Sequence, residues 1–196
     1  MKRKSAWILV TGGLLVVVGT AFITTSRAGY ETASYDVVEK DGKFEIRNYR
    51  THKVVTTSMK SSAENGSFGR LFQYISGKNE GEQKIAMTTP VFMPATEDGK
   101  TQEMQFVIPS DVAASGAPAP SSSAVKVKSM SGGKYAVLRF SGTAKTGQRK
   151  AKLVELRAEL EKRKIKTTGK PIFAGYDPPW TPGPMRRNEV LLKVSL

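Results

Sequence analysis

The stretch "YDVVEKDGKFEIRNYRTHKVVTTSM", residues 35–59, decides the fold. Asp41 and Gly42 stand between two strand-like runs, and that dipeptide tolerates the positive φ of a two-residue hairpin turn. Strand alternation sends Phe44, Ile46 and Asn48 to one side and Glu45, Arg47 and Tyr49 to the other. A further strand follows through Lys53, Val54, Val55, Thr56 and Thr57, rich in β-branched residues. Phe68, Leu71, Phe72 and Ile75 then recur at i, i+3, i+4 and i+7, the apolar stripe of a helix. Asn65 or Ser67 is placed to cap its start and Gly77 its end.

Working outward, "KIAMTTPVFMPA" and "QEMQFVIPS" read as two more strands, with Pro90 marking an edge or bulge. A Pro/Ala/Ser connector at 113–123 reads as an exposed loop. The order then repeats. "AVKVKSMSGGKYAVLRFSG" suggests a hairpin around Gly132 and Gly133. "TGQRKAKLVELRAELEKRKI" is an amphipathic helix with Leu153, Leu156 and Leu160 on one face. "KPIFAGYD" and "NEVLLKVSL" are closing strands. Residues 30–112 and 124–196 thus each read strand, strand, helix, strand, strand. One ββαββ unit cannot bury its sheet alone, so two should pair into a strongly curved sheet or barrel with the helices outside or across one end. The fold class is α+β.

The chain has 196 residues, no cysteine and one histidine, His52. Disulfides, thiolate metal sites, multi-histidine zinc sites and Cys–His catalysis are thereby excluded. No phosphate-binding glycine loop is present. The formal net charge is +14; residues 1–28 hold four bases and no acid, which leaves +10 on the remainder. That surplus favours anionic partners or simply forms a solvated basic surface. The bases are scattered rather than interleaved with aromatics, so no nucleic acid partner is expected.

"MKRK" precedes an uncharged span from Ser5 to Ser26, long enough to cross a bilayer. The basic start stays cytoplasmic and sends the body to the far side. Ser26 and Ala28 also suit a signal peptidase. Residues 1–28 are therefore a signal peptide or a membrane anchor, and residues 29–196 form the domain proper. The expected location is the cell inner membrane facing the periplasm, or the periplasm itself if the leader is cut.

Three blocks, "FEIRNY", "KIAMTTPV" and "AGYDPPWTPGPMRRNEVLLKV", in this order and spacing, resemble the SOUL/haem-binding-protein family; the likeness covers almost everything after Tyr30. The resemblance implies a distorted β-barrel of two pseudo-repeated units with two flanking helices, an architecture similar to bacterial effector-binding domains. It also implies non-covalent binding of haem or another tetrapyrrole, for buffering or transport outside a bacterial cytoplasmic membrane, and no catalysis. An effector-binding module for other amphipathic molecules, and a hydrolase of tetrapyrrole-type esters using Asp177 and Glu189, are the alternatives. A basic surface domain docking on acidic lipid or nucleic acid, with steep salt dependence, is another.

A haem needs an aromatic wall and guanidinium partners for its propionates. The four prolines at 178, 179, 182 and 184 stiffen a loop that could hold Tyr176 and Trp180 against the ring, with Arg186 and Arg187 following. Arg186 or Arg187 could instead pair with Glu189 and pin the strand. Phe68, Leu71, Phe72 and Ile75 would form the opposing lip, although such a stripe is first a helix core face. His52 is the one imidazole available to iron; Met87, Met59 and Tyr176 are the other candidate ligands. The family's proposed axial histidine falls nearer Arg50, so His52 keeps the sheet face but shifts about 7 Å along the strand.

Overall fold

The computed structural model describes residues 29–59 and 64–196. The leader, residues 1–28, and the side chain of Asn65 lie outside the described residues. Among the described residues no helix is long and apolar enough to cross a bilayer.

The elements run β1 (Glu31–Thr32), β2 (Tyr35–Asp41), β3 (Phe44–Tyr49), β4 (His52–Ser58), α1 (Glu64–Ile75), β5 (Thr88–Thr89), β6 (Val91–Pro94), β7 (Glu103–Val107) and α2 (Ser110–Ser115). After these come β8 (Val125–Met130), β9 (Gly133–Phe140), α3 (Thr146–Lys162), β10 (Lys166–Thr167), β11 (Ile172–Gly175) and β12 (Asn188–Ser195). The main sheet is antiparallel, in the order β2-β3-β9-β12-β11-β6-β7-β4-β8, with β10 added to β12.

With β2 set aside, this order is symmetric about the junction of β11 and β6. The units β3-β4-α1-β6-β7 and β8-β9-α3-β11-β12 exchange onto one another. The first strand of each unit pairs with the second strand of the other, β3 with β9 and β8 with β4. The expected hairpin at Gly132 and Gly133 therefore does not form; β8 and β9 lie on opposite halves of the sheet. Where the two crossovers meet, a Cβ on Gly132 would stand 2.6 Å from the Tyr49 carbonyl oxygen and 2.9 Å from Thr51 N. Glycine is needed there for close approach of two chains rather than for a tight turn. The hairpin at Asp41 and Gly42 does form, with Gly42 at φ 58°.

Strand alternation separates two faces. On one face Tyr49, Val54, Phe92, Val107, Met130, Tyr135, Val137, Ala174, Tyr176 and Leu191 meet in a single cluster. These residues come from both halves of the sheet, so this is the concave side of a strongly curled sheet. The other face carries two separate clusters. Leu153, Leu156 and Leu160 of α3 cover Phe44, Ile46, Leu138, Val190 and Leu192. Leu71, Tyr74 and Ile75 of α1 cover Val55, Met104, Phe106 and Val125. Both helices thus pack on the convex outside.

The connector differs from its expected loop in one respect: Ser110–Ser115 forms the short helix α2, anchored by buried Val112. Ser67 lies inside α1, where its hydroxyl donates to the Ser58 carbonyl, so it does not cap the helix start. Gly77, at φ 110°, ends α1 as expected.

Candidate functional site

Two features stand out as places for chemistry: a buried ionic cluster inside the curl and an exposed aromatic pair on α1. The first forms because β3 and β12 send polar side chains to the concave face. Arg47 donates to both carboxylate oxygens of Glu189, at 2.7 and 2.9 Å, and to Glu45 at 2.7 Å. Arg187 donates to Glu189 at 2.6 and 2.9 Å, and the Tyr176 hydroxyl donates to it at 2.9 Å. Arg47 also stacks over the Tyr35 ring, and Arg187 over the Tyr176 ring.

Glu189 is fully buried. Burial alone would raise its pKa, yet the hydrogen bonds and charges of Arg47 and Arg187 outweigh that and hold the carboxyl below its ordinary value. Burial pushes the Tyr176 phenol well up, with Glu189 adding to the effect. Among the described residues no buried side-chain nitrogen or oxygen lacks a partner. The polar groups of the interior are therefore paired with one another, and among the described residues none is left free to meet an effector.

This accounts for three of the sequence candidates. Tyr176 is a buried hydrogen-bond donor rather than a ring wall or iron ligand. Arg187 belongs to Glu189, the strand-pinning role given above as its alternative. The Arg186 guanidinium turns back on its own loop and donates to the carbonyls of Thr181, at 2.7 Å, and Pro179. The hydrolase alternative loses its geometry as well. Glu189 is enclosed by ion pairs, and Asp177 accepts from the Arg187 backbone N–H at 2.6 Å.

The expected slot between the proline loop and the first helix is not built. The loop closes on the corner before α3, with Gly142 N–H bonded to the Gly183 carbonyl. The depression it lines there, of about 620 Å3, is bounded by Ser141, Thr143, Lys145, Gln148 and Pro184 and has no aromatic wall. Helix α1 is held instead by β4: Arg70 donates to Thr57 and to the Ser58 carbonyl. Trp180 stands 82 % exposed at the loop tip.

On α1 the stripe divides. Leu71 and Ile75 are core. Phe68 and Phe72, 40 % and 50 % exposed, stack on each other with ring centroids 5.9 Å apart and planes at 15°. Phe68 also meets Phe106 edge-on at 5.2 Å. Met59 and Met87 pack, half-buried, against the same cluster. A flat apolar ring fits this outer face: an aromatic surface is already presented to solvent, and two thioethers lie at its cluster's margin.

His52 is elsewhere. It opens β4, while the start of α1 is tied to Ser58 at the strand's far end, about 20 Å away. Its pocket, about 230 Å3 and bounded also by Ser34, Arg50, Lys53 and Thr88, is smaller than the roughly 300–1,000 Å3 usual for drug-sized ligands. Burial lowers its pKa, which keeps the ring neutral. Nε2 lies 3.2 Å from the Ser34 carbonyl, which can only accept, so Nε2 carries the proton. One macrocycle cannot both stack on Phe68–Phe72 and take iron ligation from His52. Among the described residues no three His, Cys, Asp or Glu side chains converge to hold a metal ion.

A curled antiparallel sheet with a helix on each outer half is a known architecture. The C-terminal domain of EcmrR superposes with a TM-score of 0.56 over 82 % of this chain and 98 % of that one, at 11 % identity. Within that fold class the chain belongs to the SOUL heme-binding protein family, whose model matches residues 30–193. Heme-binding protein 1 of Mus musculus is 32 % identical over 174 residues, covering 85 % of this chain and 87 % of the relative. Heme-binding protein 2 of Mus musculus is 32 % identical over 161 residues, 76 % and 77 % of the two chains.

Sequence reasoning missed the interior cluster as a unit. It placed Glu45, Arg47 and Tyr49 on one face and named Glu189 beside Arg187, but not that β3 and β12 bring them together. Opposite charges at core-facing positions of two strands were the available signal.

Proposed function

We propose that this chain binds haem or a related tetrapyrrole non-covalently on the outer face of α1, and buffers or carries it on the far side of a membrane. The observation that carries this is the half-exposed Phe68–Phe72 stack in a chain of the SOUL heme-binding family. The aromatic pair supplies a wall for one face of the ring, and Met59 or Met87 is the nearest candidate for an axial thioether. The +10 surplus of residues 29–196 favours a dianionic ligand over a cationic one. The uncharged span at 5–26, with bases before it, supports a tethered body exported across the membrane.

Hemin titrated into the protein should give a saturable Soret band. Met59→Leu or Met87→Leu should shift that band if a thioether holds the iron, whereas His52→Ala should leave it in place. A titration without saturation would reject haem binding.

A further inference from the structure

Trp180 is held out of the fold by construction. Pro178, Pro179, Pro182 and Pro184 limit the loop's freedom, and the Arg186 side chain braces it from beneath through the carbonyls of Thr181 and Pro179. A further backbone bond, from Thr181 N–H to the Pro178 carbonyl, closes the turn around the indole. So braced, the loop cannot collapse to cover the ring. Met185 in the same loop is 51 % exposed.

The loop sits beside the place where the chain enters the fold. Glu31–Thr32 pair with Thr88–Thr89, just ahead of Val91, and Val91 pairs with Gly175, from which the loop departs. Where the loop returns, Arg187 hydrogen-bonds Tyr35. Tyr30, at this same end, is exposed. The uncharged span ends at Ser26, three residues before Gly29, a separation of about 10 Å at full extension. A bilayer's headgroup layer is itself about 5–8 Å deep on each side. If the span lies in the bilayer, this end of the body must rest within or against the headgroups. The exposed cations Arg50, Lys53 and Lys145 stand at this end, with Glu31 as an opposing acid.

We propose that Trp180, supported by Met185 and Tyr30, is a membrane-interface anchor that inserts into an anionic headgroup layer and orients the tethered body. Indole suits that depth, with an apolar ring and one N–H donor for the wet side. The proposal rests on the reading of residues 5–26 as a retained tether.

The chain contains two tryptophans, Trp7 and Trp180. The full chain carrying Trp7→Phe therefore reports Trp180 alone. It would be reconstituted into phosphatidylcholine vesicles with and without phosphatidylglycerol, and followed by flotation, emission wavelength and quenching by brominated lipid. The expected result is flotation with a blue-shifted emission strongly quenched by brominated lipid, more so in the anionic vesicles and less at high salt. A second variant, Trp7→Phe/Trp180→Phe/Lys162→Trp, moves the reporter to the far end of α3, about 24 Å along that helix, where emission should stay water-like. Flotation with a water-like Trp180 overturns the anchor while leaving the tether intact. Failure to float overturns both. Equal quenching at position 162 overturns the orientation.

Discussion

Glu189 is the residue on which the interior depends. Two arginines and a tyrosine hydroxyl converge on one carboxylate that has no contact with solvent. Removing one partner of such a group leaves the others desolvated and uncompensated, at a cost of about 3–5 kcal/mol. Glu189→Gln should therefore lower the unfolding free energy obtained from urea titration by that amount; a loss under about 1 kcal/mol would show the cluster to be dispensable. The pH dependence has a definite sign. The folded-state pKa is depressed, so the stabilisation is fully present above the ordinary value of 4.5 and is lost as pH falls through the lower native value. The urea midpoint of the native protein should fall on acidification below pH 4.5, and Glu189→Gln should lack this part of the decline.

At the scale of elements, α1 shows how one apolar stripe serves two purposes. Leu71, fully buried among Val55, Phe106 and Val125, holds the helix to the sheet. Leu71→Ala should cost about 2–5 kcal/mol. Phe72 lies one position on but faces outward, so Phe72→Ala should cost well under about 1.5 kcal/mol of stability. Denaturation of the two variants side by side measures the division, and equal losses would contradict it. Periodicity identified this helix but could not separate its core residues from its exposed ones, because i, i+3, i+4 and i+7 span a broad face. The strands were legible for the same reason: β3 alternates as "FEIRNY" suggests. The partner of each strand was not. Gly132 and Gly133 look like a turn in sequence, while in space they pass the Tyr49–Thr51 crossover. Local pattern carries no record of which distant strand lies alongside.

At the scale of the molecule, two ββαββ units interlock by exchanging strand partners, β3 with β9 and β4 with β8, in a curled sheet whose inner face carries one core cluster and whose outer face carries the helices. The curl was deducible from the repeat, since neither unit could bury its sheet alone. The placement of the proline loop was not deducible, because stiffness says nothing about direction: the loop joins the α3 corner instead of facing α1. The two surface functions proposed above thus fall on different places, haem on α1 and lipid at the loop.

That separation is tested most directly by hemin affinity, measured by Soret absorbance across Phe68→Ala/Phe72→Ala, Trp180→Ala and the native protein. Loss of the aromatic pair should weaken binding by at least about tenfold, since stacking a ring on two phenylalanines contributes more than about 1.4 kcal/mol. Trp180→Ala should leave the affinity unchanged. Native affinity in the double variant, or a large loss in Trp180→Ala, would place the ligand elsewhere and contradict the account.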